Sequence, residues 1–346
     1  MDAQSNVALP IACFGFITYN TIMSPRKSAF RRVTGQHKMS SAERTQSRTR
    51  PVIGNVVAAN DCPLCLNESP LWFISRDRHV RRCQHCGFIW VPQGLSRNPD
   101  GQSIYEANEP IFFDDGNENY YLDDSSFTNA RIKLKLVRQI VPSGAKLIDV
   151  GAGFGHFIKL AQEHYAATGL EISSVAVKWG RQQLGANLIT GPLDAPLPGL
   201  HQKFDVVTMW DVIEHLENPL SALHSIKSRL KAGGYLILST PDAGSLVAGI
   251  LGERWYYLDP IQHIALFNRT NLSRLLNEAG FDIVRIGSMG HSYKIEYALT
   301  RLAYLYQSGV MGSLVHLLSF GLNPFKQHHV FINPHDVLTL VARTRT

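Results

Sequence analysis

From residue 146 onward, short apolar runs alternate with longer segments in which apolar residues recur at helical spacing. Residues 146–150 and 166–170 predict buried strands, and a segment that starts at residue 157 predicts a helix between them. The alternation continues with a strand from residue 204, a helix from 219, a glycine turn and strand within 230–241, a helix at 272–280 and a strand at 281–286. This alternation predicts a doubly wound, Rossmann-like α/β sheet.

A glycine turn follows the first of these strands. Residues 147–156 read Leu-Ile-Asp-Val-Gly-Ala-Gly-Phe-Gly-His, and an acid, Glu171, lies twenty positions after Gly151. Glycines let the chain turn tightly beside a ligand, and an acid at the end of the next strand can accept hydrogen bonds from two ribose hydroxyls. The combination predicts a nucleoside-binding site at the carboxyl edge of the sheet.

The spacing of the glycines narrows the choice of nucleoside. A dinucleotide site requires G-x-G-x-x-G, whereas here the third glycine is Gly155 and position 156 is His. No Gly-Lys-Ser/Thr sequence follows, so a phosphate-binding P-loop is not expected either. The pattern G-x-G-x-G is therefore compatible with a binding site for a different nucleoside or with a plain strand-to-helix turn.

This pattern resembles the first motif of the class I S-adenosylmethionine-dependent methyltransferases. The segments 204–219 and 230–241 resemble later motifs of the same family, in the same order, and the matches extend from residue 146 to about 286. The resemblance implies a seven-stranded methyltransferase sheet in a domain at residues 131–346. The last two strands of that fold form a hairpin. Here a long apolar stretch precedes the final strand at 336–343, which implies a helical insertion at 291–328 in the connection between those two strands.

The resemblance also implies contacts with S-adenosylmethionine. Asp149 would hold the methionine amino group and Glu171 the ribose hydroxyls; the structural alternatives are a strand-end turn residue and a solvated helix cap. Ile172 would pack on the adenine, and Asp194 would receive its amino group, although Asp is also common in turns. The other implied contacts are the turn glycines and two residues at a strand end: Gly151, Gly153, Gly155, Met209 and Trp210. A core position is an equally good interpretation of Trp210.

Three residues are candidates for a general base, which methyl transfer requires only if the acceptor must lose a proton. Glu214 and His215 form a pair after the fourth strand, and His263 lies in an aromatic segment, 255–267, that resembles the acceptor-facing loop of many methyltransferases. Histidine has a suitable ordinary pKa of about 6.5. His263 is the preferred base, and a structural hydrogen bond is the alternative role of His215.

Four cysteines have the spacing of a zinc site. They form two C-x2-C pairs separated by seventeen residues: Cys62, Cys65, Cys83 and Cys86. Within the intervening seventeen residues, 71–75 and 80–82 can supply the strands of a hairpin. Four thiolates close the coordination shell, so the predicted ion is structural. Disulfides are the competing interpretation, but a disulfide-rich secreted module would not normally precede a cofactor enzyme. We expect a zinc-ribbon-like module at residues 61–95.

The net charge of +6 lies in the first 60 residues, which hold eight Lys or Arg and two acids. We expect a disordered basic tail there; a transit sequence and a later start site stay open. Residues 9–23 are apolar but too few to span a membrane. We therefore expect a cytoplasmic protein without a transmembrane span, while peripheral membrane contact and the oligomeric state stay open.

Two further segments have open roles. Residues 96–130 include an acidic, aromatic stretch that is either a lid over the site or a packed linker. The insertion at 291–328 could cover the acceptor site, mediate dimerisation or rest on a membrane. We favour an extra core layer with a partial role in substrate choice.

The leading prediction is methyl transfer to a small-molecule or sugar-linked acceptor. A zinc module before such a core resembles the arrangement in C-methyltransferases of deoxysugars. An RNA methyltransferase is the alternative, but the residues after 60 are neutral in sum and carry no Asn-Pro-Pro-Tyr-like motif, so a nucleic-acid acceptor is not expected. A non-catalytic binding protein is the third option, which the intact glycines and Glu171 disfavour.

Overall fold

Seven strands form the central sheet of the protein. A computed structural model describes residues 60–95, 97, 103–105, 124–194, 203–305 and 309–345. The predictions for the basic tail, and for most of the 96–130 segment before residue 124, lie outside these residues. The strands of the central sheet are β4 (Lys146–Val150), β5 (Ala166–Glu171), β6 (Leu188–Thr190), β7 (Phe204–Trp210), β8 (Leu230–Pro241), β10 (Phe281–Ser288) and β13 (Val337–Thr344).

The order of these strands is β10-β13-β8-β7-β4-β5-β6. Strands β4 to β8 are parallel to one another, and β13 is antiparallel to both β8 and β10. The parallel strands are almost continuously apolar because helices cover both faces of the sheet. The prediction of a doubly wound, seven-stranded sheet is confirmed.

Helices fill the connections between these strands. They are α1 (Asp124–Ile140), α2 (His156–Ala161), α3 (Ser174–Trp179), α4 (Pro219–Arg229), α5 (Leu246–Leu251), α6 (Arg269–Glu278), α7 (Ile295–Leu305) and α8 (Gly309–Leu322). Helix α6 begins three residues before the predicted start at 272. The reason is a capping box, in which the side chains of Asn268 and Asn271 each accept a hydrogen bond from the other's backbone N–H.

A second sheet lies next to the turns that carry the cysteine pairs. Its strands are β1 (Leu71–Ser75), β2 (Arg78–Arg82), β3 (Ile89–Trp90) and β9 (Ala265–Leu266), in that order. The β1–β2 hairpin lies where the sequence predicted it. Strand β9 belongs to the later part of the chain, so this sheet joins the cysteine segment to the loop that precedes β9.

The segment between β10 and β13 differs from the predicted helical insertion. A two-stranded ribbon of β11 (His291–Lys294) and β12 (His329–Ile332) frames the helices α7 and α8. Residues 291–294 are extended because β12 pairs with them and because Asn129 exchanges two hydrogen bonds with the backbone of Ser292. The sequence could not show this pairing, since the two strands are 34 residues apart.

Candidate functional site

The glycine turn after β4 leaves one open position. All three glycines have positive φ, which disfavours other residues. A Cβ at Gly151 would lie 2.4 Å from Val212 Cγ2, and one at Gly155 would lie 2.8 Å from Ala186 Cβ. A Cβ at Gly153 would meet nothing within 4 Å. Gly151 and Gly155 therefore permit packing within the protein, whereas Gly153 faces open space at the edge of the sheet.

The carboxylate of Glu171 is fixed beside this open position. The residue is 6% exposed, and its two oxygens accept hydrogen bonds from the backbone N–H groups of Gly153, at 2.8 Å, and Ser173, at 2.9 Å. Burial raises the pKa of Glu171, although these N–H donors oppose the shift. Glu171 and Gly153 are thus in direct contact, and the role of Glu171 at the ribose stays a prediction.

Asp149 is a second buried acid at the end of β4. Its Oδ1 atom accepts a hydrogen bond of 2.6 Å from Thr208 Oγ1 on the neighbouring strand β7. Burial raises the pKa of Asp149 to about 7, against the opposing effects of Thr208 and the charge of Lys133. The carboxyl group can therefore change its charge near neutral pH, and a bound cation would favour the ionised form.

The remaining predicted cofactor residues differ in exposure. Ile172 is half-buried, and Asp194 is exposed on the chain that leads to undescribed residues. The side chain of Met209 is fully buried in the hydrophobic core, and Trp210 is 6% exposed and packs on Phe157. The structure does not bring the side chain of Met209 to the open edge of the sheet.

The three candidate bases lie together. Glu214, His215 and His263 each offer one oxygen or nitrogen atom, and these atoms all lie within 4.8 Å of one another. The Nδ1 atom of His215 is 2.9 Å from the carbonyl oxygen of Gln262, and that of His263 is 2.5 Å from the carbonyl oxygen of Tyr257. A carbonyl only accepts hydrogen bonds, so in the neutral ring of His263 the Nδ1 atom carries hydrogen and Nε2 keeps the lone pair, whereas His215 Nδ1 also lies 2.7 Å from the Tyr105 hydroxyl.

Glu214 is the most enclosed member of this cluster. It is fully buried, and one carboxyl oxygen accepts a hydrogen bond of 2.9 Å from Thr240 Oγ1. The other oxygen has no hydrogen-bond partner among the described residues. Burial and the charge of Asp211 raise the pKa of Glu214 well above its ordinary value, while burial lowers the pKa of His215 to about 3. The cluster can accept a proton on a neutral imidazole, and its ligand atoms are close enough together to hold a divalent cation.

Sequence reasoning missed two residues of this site. Tyr105, from the segment predicted as a lid or linker, has its hydroxyl 2.7 Å from His215 Nδ1 and also packs beside Phe154. Asp211 has a positive φ of 57° and accepts a hydrogen bond of 2.8 Å from Ser239 Oγ. Lys133 lies 3.7 Å from Asp211. The only sequence signal for Asp211 was its position at the end of a buried strand.

The four predicted zinc ligands also come together. Their sulfur atoms all lie within 4.8 Å of one another; Cys62 and Cys86 are 3.6 Å apart, and Cys65 and Cys83 are 3.5 Å apart. A disulfide requires about 2.05 Å, whereas tetrahedral zinc with Zn–S bonds of about 2.3 Å separates its sulfurs by about 3.8 Å. The observed distances fit a zinc site and exclude disulfides in this conformation.

The two cysteine pairs have the same backbone geometry. In each pair, the residue after the second cysteine has a positive φ, and its N–H donates to the carbonyl oxygen of the first cysteine. These residues are Leu66 and Gly87. Two matching turns that direct four sulfurs to one point are a donor set suited to a closed tetrahedral metal site.

The central part of the chain is similar to known methyltransferases. The family described as "Methyltransferase domain" matches residues 126–286. A ubiquinone biosynthesis O-methyltransferase of Azoarcus sp. is 26% identical over 173 residues, which are 46% of this chain and 74% of that protein. The enzyme of the same name from Haemophilus ducreyi is 33% identical over 107 residues, which cover 28% of this chain and 45% of its own length.

Solved structures show a more distant similarity. Magnesium protoporphyrin IX methyltransferase from Synechocystis, which was crystallised with bound SAH, is 18% identical. The match covers 64% of this chain and 84% of that chain, with a TM-score of 0.40.

Proposed function

We propose that this chain, in which residues 126–286 form a class I S-adenosylmethionine-dependent methyltransferase domain, transfers a methyl group to a small-molecule acceptor. The observation that carries the proposal is the arrangement at the carboxyl edge of the sheet. The buried carboxyl group of Glu171 accepts a hydrogen bond from Gly153, whose Cβ direction is open, and the buried carboxyl group of Asp149 lies near the end of β4. A His-His-Glu cluster follows the neighbouring strand β7. This arrangement supports a nucleoside site and a proton acceptor at the same edge of the sheet.

In this proposal the residues of β4 and β5 hold the cofactor. Glu171, oriented by two backbone N–H groups, would accept hydrogen bonds from the ribose, and Asp149 would pair with the methionine ammonium group. Gly153 would allow close approach to the backbone, and Ile172 and Asp194 would contact the adenine. The cofactor supplies an electrophilic methyl group, so most of the protein's task is orientation, which can contribute about 7 to 11 kcal/mol.

We further propose that the acceptor atom is an oxygen. The similar enzymes from Azoarcus and Haemophilus are named as O-methyltransferases, and a hydroxyl must lose its proton during methylation. The Nε2 lone pair of His263 would accept that proton, while the Tyr257 carbonyl holds the opposite ring nitrogen. His215 and Glu214 would orient or assist this base. A sugar-linked hydroxyl satisfies the same chemistry.

The cysteine cluster would hold a structural zinc ion. Four thiolates complete a tetrahedral shell and leave no position for a reacting group, so the ion would stabilise the fold of the β1–β2 hairpin and its neighbours. No step of methyl transfer depends on this ion.

A labelling experiment tests the choice of acceptor. Protein, methyl-labelled S-adenosylmethionine and host-cell extract are incubated together, and the label is followed into organic-soluble and nucleic-acid fractions. We expect label in the small-molecule fraction, in a product that ribonuclease leaves intact. Label that enters RNA and disappears with ribonuclease would instead support the RNA methyltransferase alternative.

Cofactor affinity should depend on pH through Asp149. Its pKa of about 7 means that the free protein holds a neutral carboxyl below neutrality, and the proton must leave before an ammonium group can pair with it. We expect the affinity to fall about tenfold for each pH unit below about 7, and the Asp149→Asn variant to lose this dependence. Calorimetric titrations between about pH 5.5 and 7.5 would measure it; a wild-type affinity that is constant over this range contradicts the assignment.

Removing the proposed base should slow turnover without weakening cofactor binding. We expect His263→Ala to lower kcat by about 100-fold, within the usual range for a general base, with an unchanged dissociation constant for S-adenosylmethionine. His224→Ala, which alters an exposed histidine on α4, is the matched control.

The same assay includes His215→Ala. Full activity of both the His263 and the His215 variants across the pH range would show that neither histidine is the base. Activity that appears only with added Mg²⁺ would indicate that the cluster holds a cation instead.

A further inference from the structure

Helix α1 carries a lysine on the side that it buries. The helix has a polar and an apolar side, and none of the helices in the described part of the chain is long and apolar enough to cross a bilayer. Ala130, Leu134 and Val137 pack in the core against α2, which begins directly after the glycine turn. Lys133 is three residues after Ala130 and four before Val137, so it shares their side of the helix. Its side chain is 18% exposed, and such a lysine requires compensation for its charge.

The ammonium group of Lys133 lies at the end of β7. Its Nζ atom is 5.5 Å from the centre of the Trp210 ring and 3.7 Å from Oδ2 of Asp211. A charge-assisted hydrogen bond between an ammonium group and a carboxylate spans about 2.7 to 2.9 Å. The ion pair with Asp211 is longer than this, so it does not use the hydrogen-bond donors of the ammonium group, of which lysine has three.

The charge of Lys133 acts on acids at the ends of two strands. It lowers the pKa of Asp149 after β4, and it does the same for Asp211 and Glu214 after β7. These strand ends are neighbours, because Asp149 lies opposite Thr208 in the parallel pairing of β4 with β7. Lys133 is therefore a cation beside the proposed cofactor site, at the same edge of the sheet as Asp149.

The methionine part of the proposed cofactor carries two opposite charges. In the proposed site, Asp149 pairs with its ammonium group. The carboxylate is attached to the same carbon atom, so it must lie beside Asp149, whose pKa also registers the nearby charge of Glu171. Both acids would repel this carboxylate, and removing it from water without a cation is costly. Lys133 supplies a cation whose hydrogen-bond donors the Asp211 pair leaves in place.

We propose that Lys133 binds the carboxylate of the methionine part of S-adenosylmethionine, while Asp149 binds its ammonium group. This assignment rests on the proposed cofactor site and extends it from the nucleoside to the amino-acid end of the ligand. Asp211, 3.7 Å away, would hold the lysine in position. The site would then select adenosyl compounds that carry an amino-acid group over thioether nucleosides that lack the carboxylate.

Calorimetric titrations with two ligands test the proposal on the full chain. The ligands are S-adenosylhomocysteine and decarboxylated S-adenosylhomocysteine, which keeps the amine and lacks the carboxylate. We expect the wild type to bind S-adenosylhomocysteine at least about tenfold more tightly than the decarboxylated ligand. Lys133→Met should weaken binding of S-adenosylhomocysteine by about 10- to 100-fold, and binding of the decarboxylated ligand should not weaken.

The comparison separates a direct contact from an indirect effect through Asp149. Titrations at about pH 8 keep Asp149 largely ionised, since its pKa is about 7. Any change that Lys133→Met causes at Asp149 acts on the amine, which both ligands share. Lys135→Met, which alters an exposed lysine on the same helix, is the matched control and should bind both ligands as the wild type does. Lys133→Arg keeps the charge and should keep the preference for the carboxylate.

Three outcomes would overturn the proposal. The first is a wild type that binds both ligands equally, and the second is a Lys133→Met variant that keeps the wild-type preference. The third is an equal loss of affinity for both ligands, which would give Lys133 a structural role beside Asp211. A wild type that binds neither ligand would contradict the proposed cofactor site itself. Thermal unfolding monitors each variant, and Lys133→Gln replaces Lys133→Met if that variant does not fold.

Discussion

Replacing Gly153 by Arg is expected to abolish measurable binding of S-adenosylmethionine. Gly153 has a φ of 53°, its N–H donates to Glu171, and a Cβ there would enter open space and not protein. A long side chain would fill the space that the proposed cofactor needs. We expect the affinity to fall at least about 1,000-fold, which is equivalent to about 4 kcal/mol of binding free energy. Calorimetric titration measures it.

Gly185→Arg is the matched control for this variant. Gly185 also has a positive φ, of 64°, and open space at its Cβ, but it is an exposed residue that ends the π-helical turn Gly180–Leu184 after α3. Both variants therefore carry the same backbone strain, which costs about 1 to 2 kcal/mol of stability. Equal losses of cofactor affinity in the two variants would show that strain, and not occupation of the site, explains the effect. An unchanged affinity of Gly153→Arg for S-adenosylmethionine would show that the cofactor does not bind at this loop.

The Cys83→Ser variant is expected to lose the proposed structural zinc ion and much of its stability. Cys83 is 1% exposed and its sulfur lies 3.5 Å from that of Cys65, so the serine hydroxyl would leave the remaining thiolates without a complete shell. Loss of a structural metal site belongs to the largest effects of single substitutions, about 4 kcal/mol or more. Metal analysis and thermal unfolding in reducing buffer measure both effects.

The loss should extend to the loop that carries the proposed base. The carbonyl oxygen of Cys86 accepts hydrogen bonds from the side chains of Asn268 and Asn271, and the N–H of Val91 donates to Ile264. Ile264 is next to His263. We therefore expect Cys83→Ser to reduce turnover more than it reduces cofactor affinity.

Cys13→Ser is the control, because Cys13 lies outside the two C-x2-C pairs. It should keep stoichiometric zinc and full activity. A wild-type protein without stoichiometric zinc in reducing buffer, or a Cys83→Ser variant that retains the ion, contradicts the zinc assignment.

The sequence predicted those parts of the structure that depend on local pattern. Strand 146–150 has the predicted bounds because a strand buried on both faces is a continuous apolar run. The cysteine hairpin follows from residue spacing alone. The positive φ of all three turn glycines agrees with the glycine pattern, since other residues adopt that conformation only at a cost.

Contacts between distant residues could not be predicted in the same way. Nothing in the sequence connects Tyr105 with His215, or Thr240 with Glu214, because each contact depends on how the elements pack. The pairing of β3 with β9 joins residues about 175 positions apart, as Ile89 opposite Leu266 shows. Met209 was predicted as a cofactor contact because its strand opens towards the proposed cofactor site, and that role stays a prediction; the packing of its side chain in the hydrophobic core could not be predicted from the sequence.

Calorimetric titration of the wild-type chain with S-adenosylmethionine and S-adenosylhomocysteine tests the central claim most directly. The site formed by Asp149, Gly153 and Glu171 predicts that both ligands bind one site per chain, with dissociation constants in the micromolar range that is common for enzyme ligands. Folded protein that gives no binding heat with either ligand, over several temperatures, would contradict the assignment of this edge of the sheet as a methyl-donor site.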